Sequence, residues 1–166
     1  MQANLTKEDQ LHQFLLKKIT REICTGKPVL HLSKKQEQME DLLAENNHYL
    51  RVDNLQDQNF KPKSFSYVIA DLDNADLDDF DSFLDQAAKL IVRPGLLMVI
   101  ASNLCSFKNQ LAVCFGNELE DFDRPNRAVP PGFLRGKLLR KGFFVKNRFW
   151  QYNQKLLIMA DIPVTV

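Results

Sequence analysis

Glycine is scarce in this chain: there are six in 166 residues, and none between Gly26 and Gly95. No turn in that span can rest on bare backbone, and a glycine-rich loop is excluded from it. Cysteine is scarcer still. Cys24, Cys105 and Cys114 include no CxxC pair and adjoin no histidine cluster, so neither a zinc site nor a disulfide framework is indicated. A reduced, cytoplasmic setting is the expectation. The formal net charge is +1, which gives no global reason to expect a polyanionic partner. The amino terminus lacks the apolar core of a signal peptide, and no window has the length needed to span a bilayer. Neither a membrane nor a nucleic acid is expected as partner.

What is present suits one packed domain over residues 1–166. Its centre is the segment 64–103. The run 65–70 has the β-branched and aromatic content of a buried strand and ends on Asp71. A helix is predicted next, capped by Asp76, with Leu77, Phe80, Phe83, Leu84, Ala87, Ala88 and Ile91 on one face. Asp78, Asp79, Asp81 and Asp85 crowd its opening turns, where the helix dipole favours negative charge. Pro94-Gly95 is expected to stop that helix and turn the chain into a second apolar strand ending at Ser102-Asn103. Strand, helix and strand joined by short connections make a right-handed βαβ unit.

Before this unit, 5–24 reads as an amphipathic helix with Gly26 as its stop, 28–32 as a short strand, and Ser33 with Gln36 as a capping box opening a helix to about Asn46. Residues 49–53 alternate like a strand, and 54–64 are a connection. After it, 104–116 suggests a helix and 117–129 a loop. Pro130-Pro131 opens a helix that Gly142 ends, and 143–152 with 155–161 form an antiparallel hairpin turning near Asn153-Gln154. Charge is uneven along the chain, acidic over 71–85 and basic over 135–148, as in the solvated faces of helices. Phe149, Trp150 and Tyr152 beside Lys146 and Arg148 offer a surface for stacking, or the core of a strand.

The segment 65–103, with its Arg93-Pro94-Gly95 turn, resembles the fourth strand, following helix and fifth strand of the class I S-adenosylmethionine-dependent methyltransferases. The helix ending in Gly142-Phe143 and the hairpin after it are similar to the carboxyl end of that family. The resemblance implies an α/β, Rossmann-like fold: a mostly parallel sheet with helices on both faces and a C-terminal antiparallel hairpin, shortened in its amino-terminal half. It also implies where a cofactor would sit, against a GxGxG turn after the first strand, where a side chain would stand in the path of the ribose and methionine moieties. That turn has no counterpart among residues 27–94.

Two alignments are open. In one, 29–33 is the family's second strand, His31 stands where an acidic residue bonds the ribose hydroxyls, and the first strand is missing. A neutral imidazole accepts one hydrogen bond where a carboxylate accepts from both hydroxyls. In the other, 29–32 is the first strand, residues 31–35 replace the glycine turn, and the second strand is lost. Asp53 resembles the acidic residue that contacts the adenine amino group, or it caps its own turn. Asp71 ends the central strand where open α/β sheets bind ligands, or it belongs to the capping of the next helix. His12, His31 and His48 adjoin no pattern of nucleophile and base.

These residues lead to a degenerate methyltransferase-like domain without bound cofactor, acting as a binding or regulatory module through a protein partner or self-association. The alternative is an active methyltransferase that holds S-adenosylmethionine in an atypical site, through Asp53 and Asp71.

Overall fold

The structure is a computed structural model that describes residues 7–34, 38–55, 58–75, 79–103, 128–145, 149–152 and 155–163. Apolar runs with β-branched residues become strands, and runs with helical period become the helices between them. In chain order these are α1 (Lys7–Glu22), β1 (Pro28–Leu32), α2 (Gln38–Asn46), β2 (His48–Val52), β3 (Phe65–Asp71), α3 (Phe80–Leu90) and β4 (Ile91–Asn103). The short β5 (Ala128–Val129), α4 (Pro131–Arg140), β6 (Phe149–Tyr152) and β7 (Lys155–Ile162) complete them.

The strands form one seven-stranded sheet in the order β2-β1-β3-β4-β7-β6, with β5 pairing β4. Pairings from β2 through β4 are parallel, and β7 is antiparallel to both β4 and β6. Central strands are apolar on both faces, as strands covered from both sides must be. Val68, Ala70, Leu97, Val99, Leu156 and Ile158 join Phe83, Leu84 and Ala87 of α3 and Leu134 and Leu138 of α4 in one core. Val29, Ile69, Met98, Ile100 and Met159 point the other way, to Ile19 and Ile23 of α1 and Leu43 of α2. The expected Rossmann-like architecture is observed, and no helix among the described residues is long and apolar enough to cross a membrane.

Details of the central unit differ from expectation. The helix begins at Phe80, and Asp79 rather than Asp76 caps it, its carboxylate accepting from the amides of Asp81 and Ser82. It ends at Leu90, before Pro94-Gly95, and Ile91 already pairs with Phe65. β-branched Ile91 and Val92 favour the strand, and the ladder shifts register between Phe65 and Tyr67 to absorb the following residues. Gly95 is confined there: a Cβ would overlap the Ile91 side chain and the Val92 carbonyl oxygen, and would stand 3.0 Å from the Ser66 carbonyl oxygen.

The acidic and basic stretches are not simply solvated faces. Lys137 pairs with Asp81, and Lys141 lies 2.6 Å from Asp85, so the two charge runs join α4 to α3. Pro131 at the start of α4 and Gly142 at φ 81° after its end match expectation. The expected helix over 104–116 and the turn at 153–154 lie outside the described residues, as do Lys146, Arg148 and the side chains of Phe149, Trp150 and Tyr152.

Candidate functional site at the switch point

Strand order reverses between β1 and β3, since β2 follows β1 on one side and β4 follows β3 on the other. In a doubly wound sheet the strand between the second and the fourth is the first, and ligands bind at that switch point beyond the carboxyl ends. β1 therefore occupies the first-strand position, which selects the second of the two alignments. The second strand, which that alignment expected to be lost, is present as β2, formed by the alternating run that the sequence places at 49–53, and among the described residues no strand lies outside it.

The carboxyl ends of β1 and β3 are tied together by their own backbone. Ser33 is fully buried, and its amide donates to the Val52 carbonyl at 3.0 Å. The next amide, of Lys34, donates across the switch point to the Asn74 carbonyl at 2.7 Å. Asp71 does not cap the following helix. It organises the turn after β3: its Oδ1 accepts from the Asp73 amide at 3.1 Å, its Oδ2 from Asn74 Nδ2 at 2.6 Å, and its carbonyl from the Ala75 amide at 2.7 Å. This Asx turn is a structural use of the carboxylate.

Beside it, Asp73 accepts from the Ser102 amide at 3.1 Å and pairs with Lys155 of β7. Burial raises the Asp73 pKa, and the Lys155 ammonium opposes the rise. Asp53, the residue just beyond β2, is exposed. The structure thus brings both predicted carboxylates to the carboxyl edge of the sheet, on strands separated by β1.

His31 was not assigned a site role by the sequence pattern, yet it is the least ordinary titratable group here. Its side chain lies on the α1 and α2 face, buried, with Nδ1 2.7 Å from the Tyr49 hydroxyl oxygen. Nε2 is buried and without a hydrogen-bond partner among the described residues. Burial lowers its pKa to about 4, Asp71 acting against this and Arg51 reinforcing it. The imidazole is neutral near pH 7. Arg51, opposite His31 in the ladder, lies 3.4 Å from Glu40 of α2. No spacing signal could have announced this group, because Tyr49 and His31 meet only through strand pairing.

Residues 31–34 contain no glycine, so side chains stand where a bare turn would receive a nucleotide cofactor. The Lys34 amide is committed to Asn74, and the Asp71 carboxylate to its own turn. His31 is turned into the core. These residues do not fit S-adenosylmethionine in the family's manner. A separate groove of about 870 Å³, lined by Lys27, Tyr67, Arg93, Phe144 and Asp161 among others, opens at the amino-terminal ends of β3 and β4, the end remote from the switch point.

No protein-family model matches the chain, and no curated protein matches it significantly. Solved structures do. A SAM-dependent methyltransferase from Archaeoglobus fulgidus superposes with a TM-score of 0.70 at 13% identity, covering 94% of each chain. The chain has a class I methyltransferase-like fold. The same holds for a SAM-dependent methyltransferase from Aquifex aeolicus, with a TM-score of 0.58 at 14% identity and 92% of each chain covered. A third similar structure is the 1,6-didemethyltoxoflavin-N1-methyltransferase of Burkholderia thailandensis, bound to its substrate and S-adenosylhomocysteine. There the TM-score is 0.61 at 9% identity, over 96% of this chain and 80% of that one. Identities this low speak to the fold alone.

Proposed function

We propose that this methyltransferase-like domain is a non-catalytic binding or regulatory module of the cytoplasm that works through protein contacts and without S-adenosylmethionine. The observation that carries this reading is the main-chain hydrogen bond from Lys34 to Asn74, which spans the crevice between β1 and β3 where a glycine turn would otherwise open. A ligand entering there must displace a bonded backbone amide and the side chains of Ser33 and Lys34, with no glycine to admit it. Isothermal titration with S-adenosylmethionine and S-adenosylhomocysteine tests the reading. The expected result is no saturable heat, and micromolar binding of either overturns it.

One observation favours a second reading, an active methyltransferase with an atypical cofactor site. Asp53 is exposed at the carboxyl end of β2, next to the first-position strand, which puts it where a carboxylate can accept hydrogen bonds from ribose hydroxyls rather than at the adenine contact that the resemblance implied. In this reading Asp53 holds the cofactor and Asp71 lies near the reaction centre. Under it, Asp53→Asn abolishes the heat of cofactor binding while leaving the melting temperature in place.

A further inference from the structure

The layer in which α2 lies over β1 and β2 holds more polar groups than its hydrogen bonds use. His31 is buried on β1, Arg51 is its register partner on β2, and Glu40 of α2 lies beside Arg51. One atom of each, His31 Nε2, Arg51 Nη1 and Glu40 Oε2, is closed off from bulk solvent and has no hydrogen-bond partner among the described residues. Arg51 Nη1 and Glu40 Oε2 are 3.4 Å apart, so their charges attract, but the contact is too poorly aligned to be a hydrogen bond. Leaving a buried donor or acceptor unpaired costs stability, and native folds pair nearly all of them.

The chemistry of the three atoms says what would pair them. Arg51 can only donate, and an ionised Glu40 can only accept. His31 Nε2 takes the role that Nδ1 leaves to it. It carries the proton if the Tyr49 hydroxyl donates to Nδ1, and it is a bare acceptor if Nδ1 donates to the hydroxyl oxygen. A cation is opposed by the guanidinium, an anion is opposed by the carboxylate and has nothing to donate to it, and an apolar group leaves every atom unpaired. Water both donates and accepts, and it typically makes about three bonds to buried polar groups. The side chains of Arg51 and Glu40 are 29% and 23% exposed, whereas His31 is 1% exposed. The polar groups therefore run inward from the surface, and a ligand much larger than water has no way to Nε2.

We infer that ordered water is built into the contact of α2 with β1 and β2, as a short hydrogen-bonded chain from the Arg51 and Glu40 pair to His31 Nε2. At the outer end a molecule accepts from Arg51 Nη1 and donates to Glu40 Oε2. At the inner end a molecule bonds Nε2, as acceptor or donor according to the tautomer. The inference is independent of the functional reading above, because neither a cofactor nor a protein partner enters it. It makes solvent part of what fastens α2 to the sheet, and it gives His31 a route to protons although its ring is buried.

Oxygen-17 magnetic relaxation dispersion of the solvent tests this on the full chain, since it reads water held inside a protein and is blind to exchanging side-chain protons. The parent is compared with a variant that carries His31→Leu, Glu40→Leu and Arg51→Met, checked for folding by its circular dichroism. The dispersion amplitude is expected to fall in the variant by the equivalent of about one water molecule or more. A crystal structure of the unaltered protein decides the same question if the variant does not fold, with water density expected within hydrogen-bond distance of Nε2, of Arg51 Nη1 and of Glu40 Oε2. An equal amplitude in the parent and the folded variant overturns the inference. So does a crystal in which Nε2 is bonded directly to a protein group or has no density beside it.

Discussion

The two sides of the switch point are built to different standards. On the β3, β4 and β7 side, residues 97–101 and 156–160 are apolar throughout and almost wholly buried. Cross-chain polar contacts there lie at strand and helix ends, as Asp73 with Lys155 and Asp81 with Lys137. On the β1 and β2 side, a histidine is buried beside a tyrosine, an arginine leans on a glutamate of α2, and a leucine of the outer strand stands half exposed. Both sides belong to the architecture shared with the methyltransferase structures, which cover 92–96% of the chain. The second is where a nucleotide cofactor would be held, and it keeps the strands without the turn. Binding geometry and packing can therefore vary separately in this fold, because they load different strands.

Truncation should hurt the two sides unequally. Ile158→Ala, in the fully buried centre of β7, is expected to cost about 2–5 kcal/mol in urea unfolding, the range for emptying a packed core position. Leu50→Ala, measured on dilute protein, should stay within about 0.5 kcal/mol of the parent, as surface changes do. Equal costs would break the comparison.

The buried histidine sharpens it. His31 has a folded pKa of about 4, against 6.5 for the free group. Protonation thus favours the unfolded chain: stability is complete above about 6.5, falls as the pH drops, and levels off below about 4. The depth of that fall is about 3 kcal/mol for a shift of this size. His31→Leu should flatten this part of the curve of unfolding free energy against pH. An unchanged slope would place the acid sensitivity elsewhere.

A smaller effect than that of His31 belongs to the α3 cap. Hydrogen bonds from the Ser82 and Asp81 amides lower the Asp79 pKa, so this contribution is present above the ordinary carboxylate range and fades as the pH falls through the lowered value. Asp79→Ala should lower the melting temperature by about 2 °C near neutral pH, and by less at pH 3.

Much of the fold was legible because the informative signals were local. The period of α1, Pro131 and Gly142 around α4, and the apolar runs of β3, β4 and β7 are each read within one element. The end of α3 was misread because Pro94-Gly95 is a strong breaker, whereas the change to strand is made earlier by Ile91 and Val92. Asp76 was preferred as a cap over Asp79 because any aspartate in a run of aspartates satisfies the same rule. The site was harder to read. Whether 29–32 was the first or the second strand depended on its spatial neighbours, and chain order does not reveal those. The Tyr49 to His31 contact and the Lys34 to Asn74 hydrogen bond each join residues that only the assembled sheet brings together.

Because the Lys34 to Asn74 link runs from main chain to main chain, ordinary side-chain replacement leaves it in place. Grafting glycines into positions 33 and 34 would clear space above the first strand without unfastening the staple beneath it. Only a residue with no amide hydrogen at position 34, a proline, deletes the donor itself. An engineer seeking to widen the crevice above the first strand would have to cut that thread first.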